Sequence, residues 1–257
     1  MQSNHVLTFA AATFDTLRIN STGAHVTATV TVIGTVVVTA SCSPNAAGTV
    51  TINGNLIVRN GAAFTPSGSF VANNVTISDA TMQIATGEQL DINGNLTLSG
   101  TSALTPADNT SILLFSGGAT QTITVSDDSY LEAGILQTQT ANTNVTTTSN
   151  LTVINEFQIA ANTTFNATDG TVTFNPSAPS NLWTNSNGTL SFYDVIMNLG
   201  NAATPSTSAI IKGNLTKIGT ATFTAATPST ITFTNTSLSP KQIQIAGGAF
   251  TFFNLAV

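Results

Sequence analysis

The stretch INGNLIVRNG at residues 52–61 is nearly repeated twice further along the chain. INGNLTLSG follows at 92–100, and IIKGNLTKIG follows at 210–219. Self-similarity of this kind is typical of repeat proteins, in which each repeat packs mainly against its neighbours. We therefore expect a stack of similar coils.

A longer interval relates whole segments of the chain. Four segments have an aromatic or apolar lead residue at their second position, followed by alternating apolar residues: TFDTLRIN at 13–20, VANNVTIS at 71–78, SFYDVIMN at 191–198 and TFFNLAV at 251–257. Their lead residues are Phe14, Ala72, Phe192 and Phe252, and a degenerate copy stands at 129–139. These intervals indicate a period of about 60 residues. The predicted super-repeats are 14–71, 72–130, 131–191 and 192–251, with a partial fifth at 252–257.

Three further phenylalanines recur at nearly the same interval. Phe115, Phe174 and Phe233 are equally spaced along the chain, each at the end of a strand-like run. We expect these three rings to occupy equivalent core positions, as we expect of the lead phenylalanines.

Each period divides into three units of roughly 20 residues, a length that suits one turn of a solenoid. The units contain runs in which apolar residues alternate with Thr or Ser, as in TVTI at 49–52. Such alternation places one face of a strand inward, whereas no stretch has the 3.6-residue period of a helix. Asn-Gly, Gly-Gly and Pro-Ser pairs mark the turns. The sequence therefore predicts an all-β parallel β-helix, three rungs per super-repeat, as one domain over 1–257.

Asparagine often stands directly before an apolar position that is expected to point inward. Asn74 and Asn254 do so in one predicted row, and Asn95, Asn150 and Asn214 do so in another. In stacked rungs such side chains can form a ladder that pairs the backbone of the turns. We expect such a ladder; the alternative is that asparagine is simply frequent in turns.

The chain carries very little charge. Of its 257 residues 41% are hydrophobic and 6% are charged, against roughly 25% charged residues in an average soluble domain. The net charge is −6, and the five Lys and Arg residues are scattered. Binding to nucleic acid or to an anionic membrane requires a basic patch, so we expect neither partner.

The opening residues, MQSNHVLTFA, do not have the pattern of a signal peptide, and no apolar run is long enough to predict a membrane-spanning helix. We therefore expect no membrane insertion, and if the protein is secreted, its export signal is expected to have been removed or to lie elsewhere. The single cysteine, Cys42, cannot form an internal disulfide and is expected to be a small buried hydrophobic residue.

Residues that carry chemistry are few and dispersed. His5 and His25 have no Cys or carboxylate at ligand spacing, and Asp127 and Asp128 are expected in a solvated turn rather than a calcium loop. No nucleophile motif or recurring carboxylate pair indicates an active site. We therefore expect no catalytic residue, no metal and no cofactor. Trp183 is expected in the core, with exposed sugar stacking as the alternative.

The chain opens and closes in the same phase of the period, and its last residues, FTFFNLAV at 250–257, are strongly apolar. Terminal repeats of a self-contained solenoid normally carry a polar cap. We expect either a segment of a longer repeat protein or ends that are covered by neighbours in a head-to-tail polymer. The expected polymer interface consists of Phe14, Leu17, Phe252, Phe253 and Leu255.

The recurring sequence stretches together resemble the repeats of very large secreted surface proteins of Bacteroidetes-type bacteria. The matching stretches are NNVTI at 73–77, GNL at 94–96 and TQTI at 120–123, and the resemblance covers almost the whole chain. It implies an extracellular or cell-surface location and an adhesin-like or filament-forming role. The C-terminal sorting domain that is usual in those proteins is not visible in this sequence.

Three classes of function remain open. The first is a structural or adhesive module that self-associates, head to tail or laterally, or packs against neighbouring repeats of a longer chain. The second is a surface of outward threonines that binds glycan or ice. The third is a β-helix enzyme that cleaves polysaccharides, which requires carboxylates that converge on one face.

Overall fold

A computed structural model of the chain describes residues 6–7, 13–19, 25–26, 30–43, 50–139, 143–205, 207–225, 228–234 and 242–257. Every helix or strand assigned in these ranges is a β-strand. Within them, no helix is long and apolar enough to cross a membrane. The strands are β1 (Val6–Leu7), β2 (Thr13–Ile19), β3 (His25–Val26), β4 (Val30–Val38), β5 (Val50–Arg59), β6 (Ala63–Phe64), β7 (Phe70–Ser78), β8 (Thr81–Ile84), β9 (Gln89–Ile92), β10 (Leu96–Ser99), β11 (Ala103–Pro106), β12 (Ile112–Phe115), β13 (Thr120–Val125), β14 (Tyr130–Thr138), β15 (Asn144–Thr147), β16 (Leu151–Ile159), β17 (Thr164–Ala167), β18 (Thr171–Phe174), β19 (Leu182–Asn185), β20 (Thr189–Phe192), β21 (Asp194–Asn198), β22 (Ala209–Ile211), β23 (Leu215–Ile218), β24 (Phe223–Thr224), β25 (Thr230–Phe233), β26 (Ile243–Ala246), β27 (Phe250–Thr251) and β28 (Asn254–Ala256).

Three short strands make up one turn of the coil, which we call a rung. In the rung at residues 89–106, the strands β9, β10 and β11 lie on three successive faces of the coil, named here face 1, face 2 and face 3. At the bend between face 2 and face 3, Gly100 has a φ of 65°. Glycine adopts this left-handed conformation without the steric cost that a side chain would add.

Each face is a parallel sheet whose neighbouring strands come from neighbouring rungs. On face 2, Leu96 of β10 is the register partner of Val75 in β7 and of Ile123 in β13. Parallel pairing of this kind continues from β2 to β28. The predicted all-β fold is therefore confirmed, as a parallel β-helix of about ten turns.

The rungs differ in length. Ala63 and Thr81 are register partners in adjacent rungs, as are Leu215 and Ile243, but the second pair lies much farther apart along the chain than the first. The faces nevertheless stay aligned, because the extra residues lie in the connections between strands. A constant spacing in the sequence therefore does not mean a constant position in the coil.

The three equally spaced phenylalanines illustrate this. All three side chains are buried, but Phe115 lies on face 1, Phe174 on face 3 and Phe233 on face 2. Three rungs beyond Phe115, the face 1 column reaches Asn185 rather than Phe174. The rings therefore do not share the equivalent positions expected from the sequence, because the rungs between them are too long.

The lead residues of the predicted super-repeats also fall on different faces. Phe14 and Ala72 share a face 1 column through Val32 and Ile52. Phe192 instead lies on face 2, where its register partner is Ile211. The grouping of rungs into super-repeats stays a prediction.

Inward side chains stack into columns that form one continuous core. The column of Val75, Leu96 and Ile123 on face 2 is fully buried. Later rungs place aromatic rings in the core, and the centroid of Phe192 lies 5.6 Å from that of Phe174 and 5.8 Å from that of Trp183.

Candidate functional site on face 2 and at the last rung

Asparagine side chains connect successive rungs along face 2. Asn74 Nδ2 donates to Asn55 Oδ1 at 2.9 Å, and Asn74 Oδ1 accepts the backbone N–H of Asn95 at 2.7 Å. Asn95 Oδ1 accepts the backbone N–H of Thr122 at 2.8 Å. The amide oxygens of Asn74 and Asn95 thus each accept a backbone N–H of the following rung.

A second ladder lies at the start of face 3. Asn150 Oδ1 accepts the backbone N–H of Thr171 at 2.8 Å, and Asn214 Oδ1 accepts that of Gln242 at 3.1 Å. Asp194 occupies the same column and accepts the N–H of Asn214 at 2.5 Å. A carboxylate therefore replaces the amide in one rung, because only the acceptor oxygen is used there.

The columns differ from the rows inferred from the sequence. Asn74 and Asn95, expected in separate rows, belong to one column, whereas Asn150 and Asn214 belong to another. Asn254 lies outside both ladders, on face 2, where its register partner is Thr230. The unequal rungs account for the difference.

Face 2 also carries an outward column of threonines. Thr76, Thr97 and Thr124 are register partners in three successive rungs. In the next two rungs the inward partners Thr147 and Ala167 are each followed by an exposed threonine, Thr148 and Thr168. The sequence hides this column because the step from one threonine to the next is not constant along the chain. The column presents a hydroxyl and a methyl group at every rung.

A groove of about 370 Å³ runs along the same face, farther toward the C-terminus. One wall consists of Asn144, Thr164 and Thr189, which are register partners in successive rungs. Ile210 contributes apolar lining, whereas the Phe165 ring points into the core beneath the groove and packs 4.5 Å from the ring centroid of Phe157. An apolar lining with a few polar groups is the usual composition of a ligand site.

Lys212 bounds the groove on its other side. It follows β22, and its Nζ donates to Asn166 Oδ1 in β17 and to the carbonyl oxygen of Ala167, the latter at 3.5 Å. Because β20 lies between β17 and β22, the Lys212 side chain passes over β20. Removal from water lowers the pKa of the Lys212 ammonium group.

Ser191 lies in β20, in the lining of the groove. It is only 5% exposed, and among the described residues its Oγ has no hydrogen-bond partner. A buried hydroxyl left unpaired costs about 1–3 kcal/mol. Folding alone gives no account of this hydroxyl.

A second cleft, of about 390 Å³, lies where face 2 turns toward face 3. Asp127, Asp169 and Asn150 line it. Asp169 Oδ1 accepts the N–H of Gly170 at 2.8 Å, and Asn150 belongs to the second ladder. Over the described ranges, no group of three or more His, Cys, Asp or Glu residues could hold a metal ion.

On face 1, two carboxylates accept hydrogen bonds from serines of neighbouring rungs. Asp91 Oδ1 accepts from Ser116 Oγ at 2.5 Å, and Glu88 Oε2 accepts from Ser69 Oγ at 2.8 Å. Burial raises the pKa of the Asp91 carboxyl, and the bond from Ser116 lowers it. These contacts give both carboxylates a role in joining rungs.

Two large polar side chains lie inside the coil. Trp183 is fully buried and its Nε1 donates to the carbonyl oxygen of Thr207 at 3.0 Å, so the indole does not stack on a sugar at the surface. Lys217 is also fully buried, and its Nζ donates to the carbonyl oxygens of Gly219 at 3.1 Å and Gly247 at 2.6 Å. Lys217 thereby joins the bends of the last two rungs.

The last rung exposes side chains whose column partners are buried. The columns of Leu215 and Ile231, each at most 1% exposed, end at Ile243 and Leu255, which are 42% and 46% exposed. Val257, at the end of the chain, is fully exposed. This end of the solenoid is therefore an open apolar layer.

The residues expected at a polymer interface lie partly in this layer. Phe253 and Leu255 are about half exposed, whereas Phe252 is partly buried against the core. Leu17, in β2, is also partly buried. The side chain of Phe14 lies outside the described part of the chain.

Comparison of the chain with protein-family models, with curated proteins and with solved structures finds no match. A proposal for its role therefore rests on the surfaces described above, face 2 and the last rung.

Proposed function

We propose that the chain is a non-catalytic structural module, extracellular or at the cell surface, whose last rung stacks on a second copy of the chain. The observation that carries this proposal is the open apolar layer formed by Ile243, Ile245, Leu255 and Val257. Burial of apolar surface stabilises an interface by about 25 cal/mol per Å². Another rung in parallel register would bury this layer as the preceding rungs bury theirs.

A second copy is a suitable occupant because its β2 strand has a compatible inward pattern. Among the described residues, β2 is the first strand of face 2 and pairs with β4. The inward column that starts at Leu17 continues rung by rung to Phe233. A β2 strand from a second copy would extend this column and satisfy the backbone groups of the β28 edge.

The low charge supports association as well. With 6% charged residues, two copies meet little electrostatic repulsion. Within each copy of a stacked rod, the ladders of Asn74 and Asn150 would join neighbouring rungs by side-chain hydrogen bonds. Such a rod is suited to bear load or to project other segments from a surface.

Sedimentation and electron microscopy of the purified chain test the proposal. We expect particles whose length increases with concentration while their width stays that of one solenoid. Leu255→Glu should shorten them, because a carboxylate would be buried at the junction. Ile218→Glu is the matched control, since Ile218 is 37% exposed on face 3 and lies between Asn198 and Ala246 of adjacent rungs. A chain that stays monomeric at every concentration rejects a second copy as the occupant.

The threonine column favours a second candidate function, the binding of ice. The hydroxyl and methyl groups of Thr76, Thr97 and Thr124 repeat at the rung spacing of about 4.8 Å, and the column itself contains no charged residue. A regular uncharged array of this kind can order water against an ice surface. Thermal hysteresis that is present in the wild type, lost in Thr124→Tyr and kept in Thr220→Tyr would support this function, and its absence from the wild type would reject it.

A further inference from the structure

We infer that the groove on face 2 bounded by Lys212 and the wall of Asn144, Thr164 and Thr189 binds an oligosaccharide that carries a carboxylate. This goes beyond the stacking role and does not depend on it, because the groove lies on the side of the coil. A chain that never stacks could still bind the sugar, and a chain that stacks could fail to bind it.

The positive charge of Lys212 is the reason to expect a carboxylate on the ligand. Lys212 is the only charged residue among the described lining residues, and its present partners, the Asn166 amide and the Ala167 carbonyl, are neutral. An ammonium group withdrawn from water gains most from an anionic partner, because charge-assisted hydrogen bonds are roughly twice as strong as neutral ones. With two acceptors, the ammonium group keeps one of its three protons for a ligand.

Ser191 provides an independent observation. Its Oγ is buried in the lining of the groove and has no partner among the described residues. A sugar hydroxyl in the groove could both donate to this oxygen and accept from it. Binding would then remove a cost that the free protein bears.

The length and the walls of the groove favour a chain of sugars over a single small anion. The lining extends from Asn144 to Thr234 across five rungs, or about 19 Å at the spacing of a parallel sheet. The wall covers three of these rungs: Thr164 Oγ1 donates to Asn144 Oδ1, and the exposed hydroxyl of Thr189 is available to a sugar hydroxyl. Ile210 is available to the apolar C–H groups of the rings.

Other extended ligands fit less well. An extended peptide usually adds to a free sheet edge, but β17 and β20 are each paired on both sides. A nucleic acid needs several cations for its phosphates, and this groove has one. A neutral sugar chain would leave the charge of Lys212 without a counter-charge.

Isothermal titration calorimetry with a short oligogalacturonate tests the inference on the full chain, with a neutral oligosaccharide of the same length as the comparison ligand. We expect the uronate to bind and the neutral sugar to bind at least about tenfold more weakly. Lys212→Met keeps the aliphatic stem and should weaken uronate binding about tenfold or more. Arg59→Met is the control, because it removes the same charge from an exposed position in β5, distant from the groove in the stack, and it should leave binding unchanged.

Ser191→Ala separates a ligand contact from a purely structural residue. It should weaken uronate binding by about threefold to tenfold. In the free protein it should leave the melting temperature unchanged or raise it, because it deletes an unpaired buried hydroxyl. Equal binding by wild type and Lys212→Met, equal binding of the two sugars, or no binding of the uronate at all would each overturn the inference.

Discussion

The Asn74 Oδ1 atom lies 2.7 Å from the backbone nitrogen of Asn95, in the next rung of face 2. The same amide donates from Nδ2 to Asn55 Oδ1, in the rung before. One side chain thus joins three rungs through one bond on each side. This arrangement makes the ladder a measurable contribution to the stability of the coil.

Asn74→Ala should lower the free energy of unfolding by about 0.5–1.5 kcal/mol, because it removes the hydrogen bonds that join Asn55 and Asn95 through this side chain. Urea denaturation followed by far-ultraviolet circular dichroism measures the effect. Asn73→Ala is the matched control, since Asn73 is the preceding asparagine and is exposed. Equal stability of the two variants would contradict a stabilising ladder.

Gly94 tests the same ladder from the backbone side. A Cβ at this position would overlap Asn74 Oδ1 and lie 2.7 Å from the carbonyl oxygen of Asn73. Gly94→Ala should therefore destabilise the protein by about 1–3 kcal/mol. At Gly118 a Cβ meets nothing within 4 Å, so Gly118→Ala should change stability by no more than about 0.5 kcal/mol. A Gly94→Ala variant as stable as Gly118→Ala would show that the bend shifts enough to accommodate a Cβ at residue 94.

Phe192 is the centre of the aromatic core. Its ring centroid lies 5.6 Å from that of Phe174 and 6.0 Å from that of Phe157, and it is fully buried. Phe192→Ala should cost about 3–5 kcal/mol through the lost transfer energy and the cavity. Trp183, the only tryptophan of the chain, lies 5.8 Å from Phe192 and reports the change by its fluorescence.

Phe253→Ala serves as the control for this variant. Phe253 is 48% exposed in the last rung, so its removal should cost much less than the removal of Phe192. If Trp183 fluorescence reports a similar loss of stability for both variants, the unfolding of the coil begins at its last rung and not in the aromatic core.

The type of fold is predictable from short stretches of the sequence. In LTLS at 96–99, apolar and polar residues alternate, and the structure buries Leu96 and Leu98 and turns Thr97 outward. The same alternation, counted from Leu215, predicts that Lys217 points inward, where the structure places it. Period-two patterning decides the direction of a side chain even when its chemistry favours water.

The position of a residue around the coil is not predictable in this way. The step from Leu96 to Ile123 is longer in sequence than the step from Val75 to Leu96, although both steps are one rung of the same column. Loops absorb such differences at little cost, because closure entropy grows slowly with loop length. The groove was missed for the same reason, since Lys212 and Asn166 are distant in sequence and meet only when the rungs between them are placed.

Cys42 provides a prediction about reactivity. Its side chain is 4% exposed, and burial raises the pKa of the thiol to about 11. At pH 8 the thiolate, which is the reactive form, is then roughly one part in a thousand of the folded protein, against about a quarter in an unfolded chain. Iodoacetamide at pH 8 should therefore label the folded protein at least about a hundredfold more slowly than the protein in concentrated urea. The rate should rise with pH up to about 11, because the raised pKa delays ionisation. Fast labelling of the folded protein at pH 8 would contradict the burial of Cys42 in the face 3 bridge to Phe64.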